Sequence, residues 1–114
     1  MTVSIVEYID KEGRSPLGRW FLTLEARAAA KVRVYIARLE QGDFSNVEGV
    51  GEGVFECKID YGPGYRFYFG KDGETLVILL HGGHKKTQPG DIKAAKTIWR
   101  EYKSRKKKES KQWH

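Results

Sequence analysis

The clearest pattern in the chain is the alternation of apolar and polar residues between Phe55 and Leu80. Over 55–60, Phe55, Cys57 and Ile59 fall on one side of an extended segment, and Glu56, Lys58 and Asp60 on the other. Side chains of a strand point to opposite faces in turn. The turn Tyr61-Gly62-Pro63-Gly64 leads to a second strand, 65–70, where Tyr65, Phe67 and Phe69 share a face and Arg66 and Tyr68 lie opposite. After Lys71-Asp72-Gly73, a third strand over Thr75–Leu80 is apolar on both faces, as an interior strand is. A hairpin buries its apolar rows together, because a slip of one residue turns a whole row to solvent. Lys58 and Arg66 are therefore expected on one wet face. The run ends in the basic, glycine-rich exit His81-Gly82-Gly83-His84-Lys85-Lys86.

Before this run, Val3–Ile9 reads as an opening strand and Asp10–Arg14 as a polar turn. Ser15-Pro16 is a helix start, with serine as cap and proline at the first helical position. Leu17, Trp20, Phe21 and Leu24 follow at helical spacing, most simply as core residues. A second helix is predicted over Glu25–Gln41, with Ala29, Val32, Ile36 and Leu39 as its apolar row and Gly42 at its stop. Asp43–Gly53, with three glycines, reads as a loop. A final helix is predicted from Pro89 or Gly90 to Tyr102, burying Ile92, Ala95, Ile98, Trp99 and Tyr102. The predicted fold class is α+β, in the order β-α-α-β-β-β-α: a four-stranded, mainly antiparallel sheet with helices packed on one face. Residues 1–102 form one domain and 103–114 a basic C-terminal tail.

Length and composition narrow the function. The 114 residues suffice for one domain, and 39% hydrophobic content supports one modest core. No run of about 18 apolar residues predicts a membrane span, and the opening residues lack the pattern of a secretory signal. The single cysteine, Cys57, lies on an apolar row and reads as a small core residue. A reducing cytoplasm fits, and no paired Cys or Cys/His spacing suggests zinc. The net charge is +6, but Arg100–His114 holds seven Lys or Arg against two Glu, leaving +1 for the rest. Such a balance suits a polyanion such as nucleic acid, while a charged terminus is also often only a solvated, frayed end.

The runs Asp60-Tyr61-Gly62-Pro63-Gly64-Tyr65-Arg66-Phe67-Tyr68-Phe69, Gly82-Gly83-His84-Lys85-Lys86-Thr87-Gln88 and Asp91-Ile92, with Tyr8-Ile9-Asp10, Ser15-Pro16 and Trp20, closely resemble the RelE/ParE superfamily of toxins. The resemblance is greatest to its HigB-like, phage Gp49-related branch of addiction-module killer proteins and spans nearly everything from Val3 to Tyr102. It implies a toxin paired with a helix-turn-helix antitoxin, the two assembling on operator DNA. RelE-like members are metal-free, cofactor-free endoribonucleases that cut mRNA in the ribosomal A site. ParE-like members share the fold but inhibit DNA gyrase. An inactive homologue that only binds its antitoxin is a third outcome, since fold does not settle activity.

Metal-free RNA cleavage has to deprotonate the 2′-hydroxyl, stabilise the phosphorane charge and protonate the 5′-oxygen. Arg66 suits the phosphate: its fork matches two oxygens, and it falls on the motif arginine of RelE-like enzymes. Its bland alternative is a surface arginine paired with Glu56 or Asp60. Lys58 shares the face of Arg66 and matches a basic position in those enzymes; a lysine crowded by cations can serve as a base. His84 stands where the branch commonly has aspartate, and a histidine titrates near neutrality. Lys85 and Lys86 alternate in direction, so one of them is expected at the site, with Lys85 catalytic and Lys86 binding RNA. His81 reads as structural. Tyr68 is a candidate for stacking on RNA bases; Tyr65 is another, although its apolar row favours the core. In the tail, Lys103, Arg105, Lys106 and Lys107 are candidates for RNA contact by counterion release.

Overall fold

The computed structural model describes residues 2–112. Its elements are β1 (Ser4–Glu7), α1 (Pro16–Phe21), α2 (Ala26–Glu40), β2 (Val47–Gly51), β3 (Val54–Ile59), β4 (Tyr65–Lys71), β5 (Leu76–His84), a 3-10 turn (Lys85–Thr87) and α3 (Gln88–Gln112). The helix starts follow the cap chemistry. Ser15 Oγ accepts from the Gly18 amide at 2.9 Å and donates to Glu7 Oε1 at 2.7 Å. The Glu25 carboxylate caps α2 by accepting from the Arg27 and Ala28 amides.

One sheet runs β1-β5-β4-β3-β2, with β1 parallel to β5 and the other neighbours antiparallel. The α+β class holds, but the sheet has five strands rather than four. The extra strand is β2, inside the stretch expected to be a loop. It is an edge strand with little buried side chain, and its glycines hide the alternation that marks a strand. Gly51, Glu52 and Gly53 all have positive φ and turn it tightly into β3. The helices also do not share one face. Leu17 of α1 and Val32, Tyr35 and Leu39 of α2 pack with Cys57, Ile59, Phe67, Phe69, Val77 and Leu79. On the opposite face, Ala95 and Trp99 of α3 pack with Tyr8, Val54, Tyr68, Ile78 and Leu80. Two tryptophans lie against bare backbone, one on each face. A Cβ added at Gly82 would come within 2.1 Å of the Trp20 ring, and one at Gly70 within 2.5 Å of the Trp99 ring.

One irregularity controls where the exit of β5 points. Phe69 pairs with Leu79, but Tyr68 pairs with His81, so Leu80 is an extra residue in the ladder. Such a bulge reverses the alternation beyond it. His81 and Gly83 thereby join the α3 face, and Gly82 and His84 join the face of α1.

The tail, expected to begin as helix and then fray, continues α3 as one helix to Gln112. Arg105 Nη2 donates to the Ile9 carbonyl at 2.6 Å. Lys106 Nζ donates to both Asp72 oxygens at 2.5 Å. In the sequence, docking of Trp113 on the body is the rival reading of this segment, and that residue lies outside the described residues.

Candidate active site

The ladder between β3 and β4 sets Lys58 directly opposite Arg66. The two cations therefore share a face, as the alternation predicts. Their surroundings differ. Lys58 is half exposed, with Glu48 Oε2 at 3.6 Å. The Arg66 side chain is only 11% exposed and its Nε lies 3.6 Å from Oε2 of Glu56, itself 1% exposed. Arg66 Nη1 donates to the Gly64 carbonyl at 2.9 Å. Gln88, the first residue of α3, donates from Nε2 to Glu56 Oε2 at 2.8 Å. A buried carboxylate thus holds the guanidinium and is itself held by the helix that covers it. In the sequence Glu56 stands as a surface partner of Arg66, and its burial is what that reading missed. The signal lay in Glu56 and Arg66 sharing the even row of the hairpin.

Lys85 reaches the same end of the sheet. A Cβ at Gly64 would lie 3.5 Å from Arg66 Nη1 and 3.6 Å from Lys85 Cβ, so both residues flank that bare turn. Lys86, next in the 3-10 turn, is exposed. His84 does not join them. The bulge pairs it with Tyr65, and it lines a groove with Trp20 and Tyr65 on the α1 side. Its placement beside Arg66 is therefore corrected.

Tyr68 is also corrected. It is fully buried against α3 and cannot stack on a base. Burial, and then the nearby Glu56 carboxylate, push its phenol well above the usual tyrosine range. In the tail, Arg105 is engaged by Ile9 and sits 5.1 Å from the Tyr8 ring centroid, and Lys106 is engaged by Asp72. Those two are anchors of α3. Lys103 lies over the Trp99 ring at 5.8 Å, and both Lys103 and Lys107 remain exposed.

His81, expected to be structural, sits in a polar chain. Its Nε2 is 3.1 Å from Asp91 Oδ1, and Thr87 Oγ1 donates to Asp91 Oδ2. This chain ties the start of α3 to β5. Gly83 makes room for it, since a Cβ there would overlap the Asp91 carboxylate. Among the described residues, no three His, Cys, Asp or Glu side chains gather as a metal site requires. No helix there is long and apolar enough to cross a membrane.

The model of the family "Phage derived protein Gp49-like (DUF891)" matches residues 19–103. The chain belongs to the Gp49-like family. That family lies within the RelE/toxin-like superfamily. The match takes in the whole hairpin that carries Lys58 and Arg66, as well as Lys85 and the body of α3. A relative from Haemophilus influenzae, named "Uncharacterized protein", is 48% identical over 75 residues, covering 66% of this chain and 76% of its own length.

Proposed function

We propose that this Gp49-like chain is the toxin of a toxin–antitoxin pair and a ribonuclease acting on mRNA in the ribosomal A site. The observation that carries the reading is the meeting of Arg66, Lys58 and Lys85 at one end of the sheet. Arg66 would take the scissile phosphate, where a preorganised cation stabilises charge that develops in the transition state. Lys58, half exposed opposite it, and Lys85 across Gly64 would handle the 2′- and 5′-oxygen protons. No metal or other cofactor enters this scheme. Exposed Lys86, Lys103 and Lys107 would add salt-dependent contact with RNA. The partner would be a helix-turn-helix antitoxin, the pair forming a hetero-oligomer on operator DNA, in the cytoplasm.

One observation favours a second reading. The Arg66 guanidinium already faces a buried carboxylate, as in a protein that uses this face to bind rather than to cut. That protein would be a gyrase inhibitor of the ParE kind, or an inactive homologue serving only its antitoxin. Inducing wild type and Arg66→Ala in a bacterium and mapping mRNA 5′ ends separates these readings. The ribonuclease reading expects new ends with wild type and a loss of about 10²–10³-fold in cleavage with Arg66→Ala. Equal cleavage by both would remove Arg66 from the mechanism. Absence of new ends with either would remove the ribonuclease, and a gyrase supercoiling assay would then test the inhibitor.

A further inference from the structure

Beside the cation cluster lies a groove of about 830 Å³. Strand β1 pairs with β5 only over Leu76–Leu79. Beyond that, no strand among the described residues lies beside the outer edge of β5, and the groove follows this open stretch. Gly82 and Gly83 line the groove, with the Trp20 ring seated against Gly82 and the Asp91 carboxylate over Gly83. Trp20 and Tyr65 form an aromatic wall, their rings edge-to-face at 6.3 Å between centroids. His84 stands next to them, half-buried, and Arg19 lies on the rim, exposed. The volume falls within the roughly 300–1,000 Å³ of small-molecule sites, and an aromatic lining with a few polar groups is their usual chemistry.

Position decides the ligand class. Tyr65 adjoins Arg66 in β4, where successive side chains point to opposite faces, and His84 adjoins Lys85 in the chain. A chain whose phosphate sits at Arg66 and Lys85 would meet this groove with its next planar group. Flat, half-exposed aromatic rings beside a phosphate-sized cation cluster are what an unstacked base of single-stranded RNA requires.

We infer that the groove lined by Trp20, Tyr65 and His84 binds one nucleobase of an RNA strand whose phosphate lies at Arg66 and Lys85. This rests on the ribonuclease reading for its substrate, but the binding can be measured without cleavage. The test titrates the full chain with the four nucleoside 5′-monophosphates and with ribose 5-phosphate, which keeps the phosphate and lacks the base. At least one nucleotide should bind about tenfold or more tightly than ribose 5-phosphate, the scale of base–aromatic stacking. Tyr65→Leu and His84→Ala, from adjoining parts of the wall, should each shrink that ratio while ribose 5-phosphate affinity stays; Arg66→Ala should weaken all ligands alike. Thermal melting identifies a variant that fails to fold, and the other then carries the test. Equal binding of nucleotides and ribose 5-phosphate, no binding of either, or a ratio unmoved in the folded variants would overturn the inference. So would a groove that takes an extended antitoxin peptide along Gly82–His84 and no nucleotide. Cleavage without base-dependent binding would leave the ribonuclease standing and remove the pocket. Base-dependent binding without cleavage would do the reverse.

Discussion

The two faces of the sheet are built on different principles. Under α1 and α2 lies a dry, aromatic-rich core: Phe67 and Phe69 are wholly buried, and Phe55 stacks on Phe69 at 5.5 Å. Under α3 the core is divided. Trp99, Ala95, Ile78 and Leu80 pack as apolar neighbours, but Glu56, Arg66 and Gln88 form a polar chain at the end nearer the exit of β5. Away from the groove at Trp20, Tyr65 and His84, the first face only excludes water, so its stability should depend on volume and shape. The second carries the cations, and each buried charge there has to be balanced. The proposed chemistry therefore sits on the face whose packing is less purely apolar.

The largest effect should come from breaking the dry face. Phe67→Ala removes a wholly buried ring at the centre of the sheet and should cost about 3–5 kcal/mol in denaturant unfolding. A loss under about 1 kcal/mol would mean that the α1–α2 face is not a close-packed core.

A smaller and more informative change is Glu56→Gln. It keeps an oxygen that can accept from Gln88 but removes the charge beside Arg66. Stripping a partner from a fully buried pair costs about 3–5 kcal/mol. Arg66 retains some exposure and the Gly64 carbonyl, so about 1–3 kcal/mol is expected here. Affinity for single-stranded RNA at low salt should rise, because the guanidinium would no longer share its field with a carboxylate. Unchanged stability would show that the pair contributes little. Weaker RNA binding by the folded variant would show that Glu56 positions Arg66 more than it masks it.

These contrasts also explain which parts of the molecule were legible in the sequence. Alternation in 55–60 and 65–70 was enough to place Lys58 and Arg66 on one face, because the apolar row Cys57, Ile59, Phe67 forces that register. Ser15-Pro16 and the row Val32, Ile36, Leu39 likewise carry α1 and α2 in local chemistry. Three things were not local. The apolar row of α3 shows that it buries one side, but not which face of the sheet it covers. Strand β2 is held by its ladder to β3, and its own residues are too polar and glycine-rich to announce it. The bulge at Leu80 inserts one residue into an apolar run without any sequence mark, and it alone moves His84 away from Arg66. Counting by twos from Ile78 and Leu80 would put His84 on the α3 face.

The smallest expected effect concerns the far end of α3, where the contacts are exposed rather than buried. Lys106, 57% exposed, and Tyr102 both bond the carboxylate of Asp72. These bonds, that of Lys106 first, hold the Asp72 carboxyl below its usual range. A carboxyl lowered in the folded state adds stability above the pKa of the unfolded chain, about 4, and that stability is lost as pH falls through the lower folded value. Solvent screens so open a pair, so its worth is about 0.5 kcal/mol. Asp72→Asn should therefore melt slightly below wild type from pH 7 down to about pH 4, and the two curves should converge in stronger acid. At the alkaline end the same substitution has a sharper signature. The Tyr102 phenol is pushed up to about 12, by burial first and then by its bond to Asp72. Without the carboxylate its phenolate absorbance should appear at lower pH, nearer the ordinary value of about 10. Identical acid profiles together with an unmoved tyrosine titration would mean that Asp72 does not anchor this end of the helix, leaving Arg105 and its bond to the Ile9 carbonyl as the tie that holds the basic segment to the body.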